Sequence, residues 1–115
     1  STSKMAFTAY QNITSAVAVE LIASGENVSS ISSILIANTH ATSDIYVDLY
    51  LDLHSRDYYF MKGYMLKKGE TLILNERNGW SKHLSFDNGK NQYALILKLG
   101  STGTTTPSAD VMIKR

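Results

Sequence analysis

The stretch DIYVDLYLDL, residues 44–53, alternates strictly between aliphatic residues and aspartate or tyrosine. Successive side chains of a β-strand point to opposite faces of its sheet, so this period of two predicts a strand with one buried and one outward face. The face predicted to enter the core carries Ile45, Val47, Leu49, Leu51 and Leu53. The other face, directed towards solvent or a partner, carries Asp44, Tyr46, Asp48, Tyr50 and Asp52.

The segments before this strand favour β-structure as well. Residues 29–37 are rich in isoleucine and serine, and the polar or small residues 38–43 connect them to the alternating strand, which predicts a hairpin. Residues 13–24 allow two interpretations, a short helix ended by Gly25 or a strand. Because apolar residues alternate there and several are β-branched, the strand is favoured.

The segments after the alternating strand predict another pair of strands. Residues 58–66 are aromatic and apolar, and Gly63 inside them predicts a bulge or bend. The turn Lys67-Lys68-Gly69-Glu70 then leads to a short apolar strand at residues 71–74. Two strands joined by so short a turn predict a second hairpin.

The last forty residues or so contain two further strands and the longest polar region. Residues 93–99 and 109–114 predict strands, and the Gly/Thr/Ser-rich residues 100–108 predict a hairpin loop between them. Residues 76–92 are mostly polar, which predicts a long loop with room for one short strand at residues 84–86. About seven to eight strands without a long amphipathic helix indicate an all-β, antiparallel β-sandwich, either Ig-like or jelly-roll. We predict a single domain over residues 1–115.

Composition excludes several classes of function. Eleven Lys and Arg against ten Asp and Glu give a net charge of +1, without the basic stripe that binds nucleic acid. The chain has no cysteine, so stability is expected from packing and hydrogen bonds. No run approaches the roughly 20 apolar residues of a membrane span, and the first residues lack the pattern of a signal peptide. We therefore expect no nucleic-acid or membrane partner, and assembly in the cytoplasm.

The order of motifs along residues 32–74 resembles a known group of proteins. A Ser-Ile-aliphatic strand ends in Asn38-Thr39, an aromatic pair stands at Tyr58-Tyr59, and a turn with Gly69 precedes a Thr-Leu-aliphatic strand. This order is similar to that of small β-sandwich virion structural proteins of tailed bacteriophages, which decorate heads or build neck, tail and fibre assemblies. The resemblance implies a virion location, partners that are other virion proteins and copies of the chain itself, and no catalytic residue.

Catalytic and metal-binding chemistry is not indicated by the residue pattern. His40 and His54 lie beyond opposite ends of a strand roughly 30 Å long, and His83 is isolated in a polar segment. The aspartates at positions 44, 48 and 52 follow one another at about 13 Å, too far apart for paired-carboxylate catalysis, and their straight row does not converge on a calcium ion. We predict no enzymatic activity, no metal and no cofactor.

The candidate interaction surface therefore consists of Asp44, Tyr46, Asp48, Tyr50, Asp52, Trp80 and Lys82. The strand residues form either a solvated acidic face or an intersubunit face, where tyrosine supplies apolar area with a polar tip. Trp80 is isolated in a polar segment and has three possible roles: a plug over the sandwich, an anchor in an interface, or a platform for a sugar. We predict a role in assembly. The alternative is a carbohydrate- or receptor-binding module, in which Trp80 stacks on a sugar and Lys82 bonds to its hydroxyls.

Overall fold

The structure, a computed structural model, describes residues 9–26, 28, 31–53, 56–75 and 93–114. Across these ranges the chain forms eight β-strands and no helix, and hence no helix that could cross a membrane. The strands are β1 (Ala9–Ile13), β2 (Val19–Ile22), β3 (Ser33–Asn38), β4 (Ile45–Asp52), β5 (Asp57–Leu66), β6 (Thr71–Asn75), β7 (Ala94–Ser101) and β8 (Ala109–Lys114). The predicted all-β sandwich is thus confirmed.

The strands form two antiparallel four-stranded sheets with the orders β1-β8-β3-β6 and β2-β7-β4-β5. The first described strand pairs with the last, the second with the seventh, the third with the sixth and the fourth with the fifth. This nested pairing over eight strands is that of a jelly roll, whereas an Ig-like sandwich divides its strands differently. Of the two topologies that the sequence allows, the structure therefore has the jelly roll.

The hairpins predicted from sequence are wrong. Strand β3 pairs with β6 and β8, and β4 pairs with β5 and β7, so residues 39–44 carry the chain from one sheet to the other. Residues 67–70 and 102–108 connect the two sheets in the same way. The predicted turn at Gly69 does form, since the Glu70 amide donates to the Lys67 carbonyl at 3.0 Å and Gly69 has a φ of 78°. Such a turn reverses or redirects the chain without fixing which strand it pairs with.

The core lies between the two sheets and follows the alternation seen in sequence. Ile45, Val47 and Leu49 of β4 are fully buried, as predicted, while Leu51 is half-buried. They belong to one cluster of aliphatic side chains from both sheets, whose fully enclosed members include Ile22, Ile34, Ile36, Leu66, Leu95, Leu97, Leu99 and Val111. Full burial of each such side chain contributes about 1.5–3 kcal/mol, so this cluster is the main source of stability.

The segment that allowed a helix or a strand contains strand β2, Val19–Ile22. Leu21 and Ile22 are both buried, and the register with β7 shifts between Glu20 and Ile22. This irregularity lets two consecutive apolar side chains reach the interior from a strand of four residues. The favoured strand is confirmed, with shorter bounds than the apolar pattern indicated.

Asn38 at the end of β3 is a buried polar residue that joins the two sheets. Its Nδ2 donates to the carbonyl oxygens of Ser43 and Leu66, both at 3.0 Å, and its Oδ1 accepts from the amide of His40 at 2.9 Å. Leu66 is the last residue of β5 in the opposite sheet. A side chain that makes three hydrogen bonds in a buried position fixes the path of the β3–β4 connection.

The bulge predicted at Gly63 is confirmed. The register between β4 and β5 shifts between Val47 and Leu49, so Asp48 stands opposite both Lys62 and Gly63. Gly63 has a φ of 67°, in the left-handed region, and its amide donates to Oδ1 of Asp48 at 2.6 Å. A glycine in this conformation is the usual means of inserting one extra residue into an antiparallel pair.

Gly63→Ala is expected to lower the free energy of unfolding by about 1–2 kcal/mol, the cost of a left-handed conformation for a residue with a Cβ. No atom lies within 4 Å of a Cβ added at Gly63, so the expected cost is purely conformational. Urea denaturation measures it. The matched control is Gly103→Ala, whose Cβ also meets nothing within 4 Å and whose φ lies outside the left-handed region. Equal stability of the two variants would contradict the role assigned to Gly63.

Candidate interaction face

The outward side of β4 is less open than the sequence indicates. Tyr46 is exposed, Asp44, Asp48 and Asp52 are half-buried, and Tyr50 is buried. Trp80 and Lys82, the remaining predicted surface residues, lie outside the described residues. Four of the five predicted strand residues thus lie on the outer side of β4, in different environments, and Asp44 lies just before the strand.

Two of the aspartates bind backbone amides. Oδ1 of Asp48 accepts from Gly63 in the bulge of β5, and Oδ1 of Asp44 accepts from the Lys68 amide at 3.0 Å in the turn before β6. The Asp44 carbonyl also accepts from the Thr102 hydroxyl at 3.0 Å. These carboxylates shape neighbouring segments of backbone, a role that the linear acidic pattern does not indicate.

Tyr50 belongs to a small second apolar cluster on the outer side of the sheet, with Ala94 and Ile96 of β7. Its ring lies 4.6 Å from that of Tyr59, centroid to centroid, at an angle of 34°. Burial raises the pKa of the Tyr50 phenol, and the negative charge of nearby Asp57 raises it further. The phenol is therefore neutral at physiological pH and serves as a support for Tyr59.

Among the described strands, β5 stands at the edge of its sheet, and it displays most of the exposed aromatic surface of the described residues. Five side chains on and beside β5 are each between 38% and 49% exposed, and we call them the tyrosine edge: Tyr46, Tyr58, Tyr59, Tyr64 and Met65. Met65 stands opposite Tyr46 on the outer side of the sheet. Tyr58 and Tyr64 stand opposite Leu51 and Val47, whose side chains face the core, so the edge exposes both sides of β5.

Two cations of the same chain lie over these rings. The Lys62 ammonium is 4.3 Å from the centroid of the Tyr59 ring, and the Arg56 guanidinium carbon is 5.3 Å from that of Tyr58. Both distances fall within the range of cation–π attraction. The tyrosine edge therefore combines apolar rings, phenol hydroxyls and positive charge along the two sides of β5.

Groups suited to metal binding are absent from the described part of the chain, where no three His, Cys, Asp or Glu side chains come together. Nδ1 of His40 accepts from the amides of Thr42 and Ser43 at 3.1 and 3.0 Å, so its ring holds the β3–β4 connection. His54 and His83 lie outside the described residues. His40 therefore has a structural role.

Comparison with known proteins concerns the fold. No protein-family model and no curated protein matches the chain. Among solved structures, the Yersinia pseudotuberculosis-derived mitogen YPM is similar, with a TM-score of 0.50 over 92% of this chain and 81% of that one. The two sequences are 10% identical, so the likeness concerns the fold alone.

Proposed function

We propose that this chain is a non-enzymatic structural component of a tailed-phage virion, repeated in a symmetric assembly and contacting its neighbours through the tyrosine edge. The observation that carries the proposal is the concentration of exposed tyrosines on β5, which is the edge strand of its sheet among the described strands. The virion location rests on the motif order along residues 32–74. Its partners are other virion proteins and further copies of the chain.

The chemistry of the tyrosine edge supports protein contacts. Tyrosine and methionine are enriched in interfaces because they bring large apolar area at small cost in conformational freedom. An edge strand also presents backbone amides and carbonyls to which a partner can bond. Lys62 and Arg56 interrupt the apolar band with charge, which favours a specific partner over indiscriminate aggregation.

A carbohydrate- or receptor-binding module remains the second candidate. It predicts rings open to stacking, but the Tyr59 ring already contacts Tyr50 and carries Lys62 over it. A sugar stacked on the covered side would displace Lys62. Because the Tyr59 ring is already in contact with Tyr50 and Lys62, a protein partner is favoured over a sugar at the tyrosine edge.

The proposal predicts that the purified chain forms a ring-sized oligomer that Tyr64→Ser weakens by about 30-fold or more, the effect of removing an interface hot spot of about 2 kcal/mol. Sedimentation velocity and native mass spectrometry measure the distribution of species. The matched control is Tyr10→Ser, which removes a tyrosine that is 68% exposed on the other sheet and is expected to leave assembly unchanged. A chain that is monomeric at every attainable concentration would contradict self-assembly.

The virion location has its own test. Peptides of this chain are expected in purified phage particles of the genome that encodes it, in a stoichiometry that matches a symmetric ring or lattice. Quantitative mass spectrometry of the particles provides the measurement. Absence from intact particles, with presence in lysed cells, would overturn the assignment.

A further inference from the structure

A shallow groove of about 290 Å³ lies on the first sheet, between edge strand β1 and its neighbour β8. It is on the sheet opposite the tyrosine edge and takes no part in the proposed assembly contacts. Its lining residues are Tyr10, Gln11, Asn12, Asp110, Val111 and Met112. The volume is at the lower end of the range of small-molecule sites, which suits a ligand of a single ring.

The register of β1 and β8 places an apolar pair beside a polar pair in this groove. Tyr10 stands opposite Met112, and Asn12 stands opposite Asp110. Residues two apart on a strand share a face and are about 7 Å from each other, so the two pairs are adjacent. Tyr10 is 68% exposed, which leaves most of its side chain accessible from solvent.

The polar pair is joined by a hydrogen bond. Nδ2 of Asn12 donates to Oδ1 of Asp110 at 2.7 Å. One such bond uses one of the roughly four acceptor positions of a carboxylate and one of the two donor hydrogens of an amide. Asp110 and Asn12 can therefore both bond to a ligand that carries several hydroxyl groups.

We infer that the groove binds a neutral hexose unit. The C–H face of the sugar ring lies on Tyr10 and Met112, and its hydroxyls donate to Asp110 and exchange hydrogen bonds with Asn12. The negative charge of Asp110 disfavours acidic sugars. A single tyrosine does not form the aromatic cage that binds quaternary ammonium groups, which disfavours a cationic ligand.

The test is a titration of the full chain with glucose, galactose and mannose in turn, followed by ¹H–¹⁵N NMR. At least one hexose is expected to give saturable shifts at the amides of Tyr10, Asn12, Asp110 and Met112, with a Kd on the order of 1 mM. Tyr10→Ala and Asp110→Ala are each expected to weaken binding by about tenfold or more. The control Ile73→Ala removes an exposed side chain at the far edge of the same sheet and is expected to change nothing.

Three results would overturn the inference: no saturable shift with any of the three hexoses, shifts that survive in both groove variants, or shifts with choline in place of the sugars. Should Tyr10→Ala lose its dispersed spectrum, Tyr10→Leu keeps an apolar side chain without the ring and decides the same question. A glycan array then distinguishes the source, since a terminal hexose of a surface glycan binds immobilised probes whereas a site for small sugars alone does not. Loss of binding with assembly intact would refute this groove and leave the proposed function standing.

Discussion

Leu49→Asp is expected to abolish folding of the whole domain. Leu49 is fully buried in the middle of β4, between the two sheets. An unpaired carboxylate there costs several kcal/mol in addition to the lost apolar burial, which is comparable with the entire stability of about 5–15 kcal/mol of a small domain. Far-UV circular dichroism and amide NMR dispersion of the purified variant measure the loss.

The control for this change is the neighbouring residue. Asp48→Asn removes a charge on the outer side of the same strand but keeps an oxygen that can accept from the Gly63 amide. It is expected to fold with a melting temperature within a few degrees of the parent. If both variants tolerated the change equally, the assignment of the two faces of β4 would be refuted.

Asn38→Ala is expected to lower the free energy of unfolding by about 3 kcal/mol or more. The change deletes three hydrogen bonds worth about 1 kcal/mol each and leaves the buried carbonyl of Leu66 without this donor. Because Asn38 joins the β3–β4 connection to β5, the loss is also expected to increase amide exchange at His40 and Ser43. Chemical denaturation and hydrogen exchange measure the two effects.

The same truncation at an exposed site gives the comparison. Asn12→Ala removes an asparagine whose Nδ2 bonds to Asp110 on the surface, and it is expected to cost less than about 1 kcal/mol. A loss at Asn38 no larger than at Asn12 would show that the buried hydrogen bonds do not secure the connection between the sheets.

Local patterns in the sequence predict most of the described strands, although not β1, and they predict the pairing of the strands poorly. The alternation around Leu49 correctly gives the buried face of β4, and Gly63 correctly marks the bulge, since both depend on conformational preferences of a few neighbouring residues. The predicted hairpins fail because residues 38–43 and 67–70 show that the chain turns, but not that it crosses to the other sheet. Only the packing of distant strands decides that.

The candidate surface, like the fold, could be predicted from the sequence only in part. The placement of Tyr46 on the outer side follows from the period of two. The exposure of Tyr58 and Tyr64 does not, because it arises from the position of β5 at the edge of its sheet. The bonds of Asp44 and Asp48 to backbone amides likewise depend on where residues 62–68 lie. The sequence does contain one signal of an aromatic and basic edge, the pair Tyr58-Tyr59 with Arg56 close before it.

The nested pairing of the strands also determines when the domain can fold. Strand β8 lies between β1 and β3 and bonds to both, so the first sheet lacks an inner strand until the last described residues have left the ribosome. The bond between Asn12 and Asp110 joins positions 98 residues apart, and contacts of such long sequence separation make folding slow, on the order of milliseconds to seconds. The β4–β5 hairpin is the local unit that can form early. The sandwich is therefore completed only after β8 has been synthesised, and until then the apolar side chains of β3 lack part of their cover and are open to association with other chains.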